Sequence, residues 1–561
     1  MSRLRSAPAA LLRSFTVTGL LLGSLFFAAS LTPSLVPRHP AVQGLLSGLC
    51  FAAGYGLGAL LQWLWRLLQL PEMRPETLIW RRLPALLLCL GALSYALWRA
   101  NEWQNRLRAL MQLAPQDSAG PFTIAGVALL MFALLLLIGR AFHWVKQAIA
   151  ARLQRQMPGP VAVLGALGLT AWLFFLIGNG VLVRAGMHAF DVSYQRLDAL
   201  IEDDSSPRPS DPLKVGAPGS LLKWEGLGRA GRRVIAAGPD RAKIAAMTGT
   251  APDQAKEPLR VYVGLNSAET IDERAQLALA ELKRIGAFER SNLVIVTPTG
   301  TGWVDPESQT ALEYLLRGDV ASVSVQYSYL ASWLALLADP ELGRDTARAT
   351  FAAVYDHWRS LPRDARPKLY LHGLSLGSLN SELSHDLHQV IGDPYAGAFW
   401  TGPPFANETW KLITAQRRPG TPAWLPEFRD GSVIRFTAQV NRLNQAPAPW
   451  GPYRVIYLQY ASDAVSFFEP GALWRRPAWL QGPLGPDVSP DFVWVPVVTF
   501  LQLTIDLMLA TTPPLGYGHL YAFEHYLDGW AGLTDAPGWM PAQLQALKNK
   551  IVAERNAVNA E

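Results

Sequence analysis

The chain divides into two parts that differ in their pattern of apolar and polar residues. Long uncharged runs fill residues 1–190, whereas from residue 259 onward short apolar runs alternate with amphipathic stretches. A helix needs about 20 consecutive apolar residues to cross a bilayer. Five runs approach this length: Ser14–Leu31, Ala41–Trp63, Leu83–Ala100, Pro121–Gly139 and Val161–Val183. The pattern predicts an all-α transmembrane domain over residues 1–190, built of about five helices.

Basic residues in the loops between these runs indicate their orientation. Eleven Lys and Arg residues lie at the N-terminus and in the second and fourth loops, and four lie in the first and third loops. Since positive charge is enriched in cytoplasmic loops, the N-terminus is predicted to be cytoplasmic. Five spans of the cytoplasmic (inner) membrane then place the rest of the chain on the periplasmic, extracytoplasmic side. An even number of spans would reverse that side.

The apolar runs are better interpreted as an anchor than as a transport pathway. The first run has the length of a cleavable signal peptide, but Pro33, Pro37 and four further runs follow it, so we favour a membrane span. No run carries Asp, Glu or Lys near its centre, where transporters and proton pumps commonly hold an ionisable group. The expected partner of this part of the chain is therefore the lipid bilayer. In the second run, Gly54, Gly56 and Gly58 are expected to allow close packing of helices.

Residues 191–258 are predicted to be a linker. Pro, Gly, Asp and Ser are frequent from Glu202 onward, and the Ser205–Pro212 run cannot form a helix or a central strand. The residues from Gly226 to Pro239 also have the composition of a loop.

The remaining residues, 259–561, have the alternation of an α/β domain. The predicted strands are Arg260–Leu265, Asn292–Thr297, Val320–Tyr327, Lys368–His372, Ala396–Thr401 and Tyr453–Tyr460. The predicted helices are Ile271–Ile285, Ser308–Arg317 and Arg344–Ser360. This alternation predicts a mostly parallel sheet with helices on both faces. The active site of such a sheet lies at the C-terminal ends of its strands.

Composition and charge exclude several classes of function. The formal charge of +6 does not indicate a nucleic-acid partner, because many basic residues lie between the apolar runs. The only cysteines, Cys50 and Cys89, lie inside apolar runs, so the α/β part has no cysteine-ligated metal and no disulfide. The sequence contains no phosphate loop and no nucleic-acid-binding motif. We expect neither a metal nor an organic cofactor, and nothing in the sequence indicates an oligomeric state.

The strongest chemical signal is a Gly-X-Ser-X-Gly motif after the predicted strand Lys368–His372. Gly373, Ser375 and Gly377 form this motif, and residues compatible with a helix follow it. In a nucleophile elbow the serine lies at the tip of a tight strand-to-helix turn, and glycines flank it because side chains there would collide with neighbouring backbone. The sequence therefore predicts the fold of an α/β-hydrolase, with Ser375 as the catalytic nucleophile.

A serine hydroxyl needs a histidine base, which an acid orients, and in this fold the chain order is Ser, acid, His. Four histidines follow Ser375: His385, His388, His519 and His525. The first two lie on the helix that leaves the elbow, which carries them away from the site. His519 lies in a glycine-flanked loop before a final predicted helix, so we favour it as the base over His525. His372, on the incoming strand, would point away from Ser375 and is expected to be structural.

The acid is expected just after a late strand. Asp463 follows the predicted strand Tyr453–Tyr460 and is our choice, although an Asp at this position could instead cap the next helix. Glu469, Asp487 and Asp491 are alternatives in less regular surroundings.

Two backbone N–H groups are expected to stabilise the oxyanion that forms during acyl transfer. One is that of Leu376, the residue after the nucleophile. The other follows an earlier strand, where the Thr299–Gly302 loop and the Val263–Ser267 loop compete. We favour the first loop, with Thr299 and Gly300 as the donors, although its glycines could equally be ordinary turn residues.

These residues resemble a bacterial family of membrane-attached α/β-hydrolases with an N-terminal multi-pass region, over most of the chain. The matching stretches are Leu31–Arg38, Pro298–Pro306, His372–Ser378, Trp400–Asn407, Leu458–Val465, Asp487–Pro490, Gly516–Tyr521 and His525–Tyr526. The resemblance implies a serine hydrolase with Ser375, Asp463 and His519 as its triad. It implies no particular substrate.

We therefore expect a membrane-bound serine hydrolase, of esterase or lipase type, that cleaves a lipid-like or cell-envelope ester through an acyl-enzyme. The same acyl-enzyme could pass its acyl group to a sugar or lipid hydroxyl, which would make the protein an acyltransferase. The alternative from another class is a non-catalytic membrane assembly or transport component that keeps a hydrolase-like fold. The intact Ser, Asp and His in the expected order argue against it.

Overall fold

The computed structural model describes residues 15–71, 75–178, 207–330 and 340–560. The chain divides into two compact units. The helical unit consists of Met1–Val183 and Phe468–Gly518, and the hydrolase unit consists of Arg184–Phe467 and His519–Glu561. No feature of the sequence pattern indicated that Phe468–Gly518 groups with the N-terminal helices. The predicted boundaries at residues 190 and 258 remain a prediction.

The α-helices alternate with strands only in the hydrolase unit. In chain order they are α1 (Val17–Ser30), α2 (Pro40–Leu67), α3 (Pro75–Leu110), α4 (Pro121–Leu153), α5 (Gly159–Phe175), α6 (Gly228–Ala236), α7 (Arg241–Thr248), α8 (Ile271–Arg284), α9 (Pro306–Leu315), α10 (Pro340–Ser360), α11 (Leu376–Glu382), α12 (Leu387–Val390), α13 (Glu408–Ala415), α14 (Ala464–Phe467), α15 (Val498–Met508), α16 (Phe523–Thr534) and α17 (Pro541–Ala560). Helices α6 and α7 lie in the segment for which the sequence predicted a linker, and α6 replaces the loop expected at Gly226–Pro239.

Within the described residues, three helices are long and apolar enough to cross a membrane: Pro40–Leu67, Pro121–Leu153 and Gly159–Gly178. They correspond to the second, fourth and fifth predicted runs, although residues 179–183 of the fifth run lie outside the described residues. The first run forms the 14-residue helix α1, which is about 21 Å long and shorter than a bilayer core of about 30 Å. The third run is part of α3, which is not among the three. Within the described residues, three of the five predicted runs are therefore helices of sufficient length and apolar character, and the number of spans stays a prediction.

Small residues allow the helices of the helical unit to pack closely. A Cβ atom on Gly54 would lie 2.5 Å from the Leu22 carbonyl oxygen of α1, and one on Gly58 would lie 2.5 Å from that of Thr18. On another face of α2, a Cβ atom on Gly48 would lie 2.8 Å from the Ala128 carbonyl oxygen of α4. We expected Gly56 to serve the same purpose, but a Cβ atom there would meet nothing within 4 Å. Close packing against α1 thus depends on Gly54 and Gly58, and close packing against α4 on Gly48.

A buried ion pair lies inside the helical unit. Arg38 Nη2 lies 2.7 Å from Asp506 Oδ1, and both side chains are completely buried. The other carboxylate oxygen of Asp506 accepts a hydrogen bond from the Leu35 N–H over 3.0 Å, and Arg38 Nη1 donates to the Gln43 side chain over 3.1 Å. Arg38 follows α1 and Asp506 lies on α15. The pair therefore connects the Phe468–Gly518 segment to the N-terminal helices.

The hydrolase unit is built on a parallel seven-stranded sheet. Its strands are β1 (Leu259–Val263), β2 (Asn292–Thr297), β3 (Val320–Val325), β4 (Lys368–Leu374), β5 (Gly397–Thr401), β6 (Ile434–Thr437) and β7 (Arg454–Leu458). The spatial order is β1-β3-β2-β4-β5-β7-β6, and every pair is parallel. All six predicted strands are present, and β6 was missed. The α/β-hydrolase fold predicted from the sequence is confirmed.

Helices cover both faces of this sheet, as predicted. On one face α9 and α16 contact each other, and α16 also contacts β5 and β7. Helices α8 and α10 form a second contacting pair against the sheet. The register aligns Leu374 with Thr401 and Thr401 with Leu458. The ends of β4, β5 and β7 are therefore neighbours at one edge.

Removing the acid of the buried ion pair provides a test of its importance. We expect Asp506→Ala to lower the free energy of unfolding by about 3–5 kcal/mol, because the Arg38 guanidinium would stay buried without a counter-charge. The measurement is thermal or denaturant unfolding of the full chain in an uncharged detergent. Asp491→Ala is the control, since Asp491 pairs with Arg106 at 2.8 Å with both side chains partly exposed, and exposed pairs contribute little. Equal losses for the two variants would contradict a special role for the buried pair.

Candidate active site

Ser375 lies at the end of β4, in a turn that leads directly into α11. Its backbone angles are φ 56° and ψ −128°, a conformation that is costly for a residue with a side chain and that accumulates at functional sites. A Cβ atom on Gly373 would lie 2.4 Å from the Gly377 carbonyl oxygen, and one on Gly377 would lie 2.3 Å from the Thr297 carbonyl oxygen at the end of β2. Both glycines of the motif are thus required by contacts with backbone. The turn has the geometry of a nucleophile elbow.

Asp463 follows β7 and is completely buried. One carboxylate oxygen accepts a hydrogen bond from the Val465 N–H over 2.8 Å. The other accepts from His519 Nδ1 over 2.7 Å and from the Tyr521 hydroxyl over 2.6 Å. The Ser466 hydroxyl donates to the same oxygen over 3.3 Å. Four donors therefore hold the carboxylate in place, and the one from His519 fixes the orientation of the imidazole.

His519 is 7% exposed, and its second ring nitrogen, Nε2, is buried without a hydrogen-bond partner among the described residues. The ring packs against Gly402 after β5, where an added Cβ atom would lie 2.6 Å from His519 Cε1. The adjacent Thr401 carbonyl accepts a hydrogen bond from the Ser375 N–H over 3.0 Å. The end of β5 thus has Ser375 on one side and His519 on the other, which brings the three predicted residues to one edge of the sheet.

Two other histidines of this unit, His525 and His372, have structural partners. His525 contacts the Tyr460 hydroxyl, and burial lowers the pKa of His525 to about 4. His372 contacts the Ser308 hydroxyl over 2.8 Å and the Phe399 carbonyl over 2.7 Å, in keeping with the structural role expected for it. His519 is the histidine that bonds Asp463.

The loop after β2 lies against the elbow. An added Cβ atom on Gly377 would lie 2.9 Å from the Pro298 carbonyl oxygen, so this loop is the neighbour that an oxyanion hole requires. The Thr299 N–H, however, donates to the Trp303 carbonyl over 2.9 Å, and is therefore occupied in this structure. Leu376 is the first residue of α11, where an N–H has no partner inside the helix. Leu376 and Gly300 remain the predicted donors.

Comparison with known families agrees with this architecture. Residues 259–547 match the model described as the alpha/beta-hydrolase family, and residues 31–239 match the model of an alpha/beta-hydrolase family N-terminus. The chain belongs to the alpha/beta-hydrolase family. No curated protein and no solved structure matches the chain. Among the described residues, no group of three or more His, Cys, Asp or Glu side chains could hold a metal ion.

Two residues beside the site of this alpha/beta-hydrolase were not singled out from the sequence. Tyr521 is completely enclosed, and burial together with the Asp463 carboxylate raises its pKa well above the usual range, so the hydroxyl stays a donor. Asp305 caps α9 through the Glu307 N–H over 3.0 Å and accepts from the Tyr526 hydroxyl over 2.8 Å. The signals were present: an Asp before Pro306 at a helix start, and a Tyr two positions after His519.

The ionisation of Asp305, beside the site, responds strongly to its surroundings. Burial raises the pKa of Asp305 to about 7 from the ordinary 3.8. The hydrogen bonds from the Tyr526 hydroxyl and the Glu307 N–H oppose that rise, and the nearby His519 opposes it to a smaller extent. Between those two pH values the unfolded chain has released this proton and the folded chain retains it. The free energy of unfolding therefore falls as pH rises through that window.

Adding one methyl group at the elbow tests its close packing. We expect Gly377→Ala to cost about 1–3 kcal/mol of stability and to displace the loop after β2, because the new Cβ would overlap the Thr297 carbonyl oxygen. Thermal unfolding measures the first effect. Gly392→Ala is the matched control, since a Cβ atom there would meet nothing within 4 Å. If both variants unfold at the wild-type temperature, the close contact is not a constraint.

Neutralising Asp305 tests its titration. In wild type, Asp305 is expected to lower the free energy of unfolding by up to about 1.4 kcal/mol for each unit that the pH rises between about pH 4 and pH 7. Asp305→Asn is expected to remove that contribution. Unfolding followed at a series of pH values measures the slope. Asp364→Asn, on the surface, is expected to keep the wild-type slope. An unchanged slope in Asp305→Asn would show that the proton is bound elsewhere.

Proposed function

We propose that the protein is a serine hydrolase that cleaves a carboxylic ester through Ser375, His519 and Asp463. The observation that supports this most directly is the arrangement of His519. Its Nδ1 is held by a buried carboxylate, and its Nε2 is buried without a partner, beside a strand end that also bonds the Ser375 backbone. A base nitrogen in this position is suited to take the proton of a serine hydroxyl.

In the proposed reaction, His519 Nε2 removes the proton of the Ser375 hydroxyl while Ser375 Oγ forms a bond to the ester carbonyl carbon. The Leu376 and Gly300 N–H groups stabilise the resulting oxyanion. The bond to the alcohol oxygen then breaks, and His519 returns the proton to the leaving alcohol. A water molecule, deprotonated by His519, attacks the acyl-enzyme, releases the carboxylic acid and restores Ser375.

Asp463 stabilises the histidine cation that forms in each half of this reaction. Its carboxylate stays buried and accepts hydrogen bonds from Tyr521 and Val465 as well as from His519. These two additional donors hold the carboxylate while the charge on the imidazole changes. Because the ring nitrogens are distinct, the Asp463 contact also selects the tautomer with Nε2 free to accept a proton.

The exposed apolar side chains of the helical unit favour the proposal that the substrate is lipid-like or part of the cell envelope. Large apolar side chains on its candidate spans are exposed, including Leu61, Trp63, Leu130, Leu164 and Trp172, as expected for helices that contact lipid. We propose that these helices anchor the protein in the cytoplasmic membrane and raise the local concentration of such a substrate. With the N-terminus in the cytoplasm, either three or five spans leave the hydrolase unit on the extracytoplasmic side.

Labelling with a fluorophosphonate probe tests the activated serine. We expect wild type in membranes to be labelled, and Ser375→Ala to lose all labelling because the acceptor oxygen is absent. His519→Ala and Asp463→Asn are expected to slow labelling by about a hundredfold or more. In-gel fluorescence over time gives the rates. The control is Ser384→Ala, which removes a serine that lies a few residues after Ser375 and outside the elbow.

Unlabelled wild type of normal thermal stability would contradict the proposal and favour a non-catalytic membrane component. Labelling that persists in Ser375→Ala would place the reactive serine elsewhere.

A further inference from the structure

A large cavity of the hydrolase unit has no role in the proposed chemistry. It has a volume of about 570 Å³ and lies between α6 and the loop that follows β2. Helix α6 contributes Arg229 and Arg233, and the loop contributes Thr301 and Trp303. Trp303 is 39% exposed, so the cavity is accessible from solvent.

The cavity is positively charged on the α6 side. Arg229 and Arg233 are four residues apart, so they share one face of the helix. The Nε of Arg229 is buried without a hydrogen-bond partner, and neither guanidinium takes part in an ion pair within the described parts of the chain. No Asp or Glu is among the described residues that line the cavity. The α6 side of the cavity therefore offers two guanidinium groups to an anionic ligand.

A nearby arginine provides the contrast. Arg260 also lines the cavity, but its guanidinium makes two hydrogen bonds of 2.6 Å to the Glu313 carboxylate. Its charge is therefore neutralised within the protein. Arg229 and Arg233 are the pair left to bind a ligand.

Part of the remaining lining is apolar, and one of the lining loops also contacts the elbow. Val304 and Ala237 contribute apolar surface, which suits a ligand that carries an apolar part beside its charge. The loop that lines the cavity with Thr301 packs its other end, Pro298, against the elbow glycine Gly377. The same loop thus lies against the elbow at its start and lines the cavity further along the chain.

We propose that this cavity binds the phosphate group of a lipid-like ester, with Arg229 and Arg233 donating to the phosphate oxygens, and that it is the headgroup subsite for the substrate cleaved at Ser375. Guanidinium groups match phosphate geometry and suit such a site better than lysines. The assignment of the ligand as a substrate rests on the proposed function, whereas the binding of phosphate does not.

The test is direct binding to the full chain carrying Ser375→Ala, purified in an uncharged detergent, so that no ligand is consumed. Calorimetric titrations use three probes: dihexanoyl phosphatidic acid, dihexanoylglycerol and inorganic phosphate. We expect the phosphatidic acid to bind at least about tenfold more tightly than the neutral lipid. Arg229→Gln and Arg233→Gln are each expected to weaken its binding about tenfold, and Arg363→Gln, an arginine with a 76% exposed side chain, to leave it unchanged.

Each outcome decides a separate point. Equal affinity for the two lipids, or unchanged affinity in both arginine variants, would overturn the proposal. Inorganic phosphate that binds as tightly as phosphatidic acid, with the same dependence on the arginines, would support the phosphate site and identify free phosphate as its occupant. Single substitutions at exposed or half-buried positions are used so that folding is preserved, and charge-conserving Arg229→Lys is expected to lose less affinity than Arg229→Gln.

The failure of this inference can be distinguished from that of the proposed function. Fluorophosphonate labelling depends on Ser375 and His519, and is measured without a phosphate ligand. If wild type is labelled but shows no preference between the two lipids, the serine hydrolase proposal stands and the headgroup subsite is contradicted. If phosphate binds but wild type is not labelled, the phosphate site stands and its role as a subsite of a hydrolase is contradicted.

Discussion

The close backbone contact between the end of β4 and the start of α11 is the constraint on which the site depends. Gly373 and Gly377 approach each other so closely that neither can carry a side chain, and Gly377 also touches the end of β2. These contacts hold Ser375 in an otherwise unfavourable conformation, and they place the loop after β2 directly beside the elbow. The strands β2, β4, β5 and β7 are successive neighbours in the sheet. This order determines which of the loops at their C-terminal ends surround Ser375.

The second requirement is a histidine that reaches this edge from a distant part of the chain. Asp463 leaves β7 within the hydrolase unit, after which the chain passes through Phe468–Gly518 of the helical unit and returns at His519. The hydrogen bonds of His519 and Tyr521 to one carboxylate secure the returning segment. Within the helical unit, Asp506 of the same connection is held by Arg38. Buried carboxylates with several donors thus hold this connection at two places, where it returns at His519 and inside the helical unit at Asp506.

Much of the fold could be predicted because its signals are local. The Asn292–Thr297 strand was predicted at its observed bounds, since a short apolar run between polar turns has few other interpretations. Strand β6 was missed because it has only four residues, includes Arg435 and gains its hydrogen bonds from β7. Gly56 was grouped with Gly54 and Gly58 because spacing alone does not show which face of a helix meets a neighbour. The Thr299 N–H was chosen without knowledge of the turn in which it already bonds Trp303.

The sequence by itself determined the elbow, the order of Ser375, Asp463 and His519, and the apolar character of the first part of the chain. These features depend on residue type and on spacing along a few turns or strands. The tertiary structure decided that His519 bonds Asp463 while His525 contacts Tyr460, that Asp305 is buried beside the site, and that Phe468–Gly518 groups with the N-terminal helices. It also placed Arg229 and Arg233 on a cavity. Such contacts join residues far apart in the chain, and their energies depend on burial and on partners that no local pattern encodes.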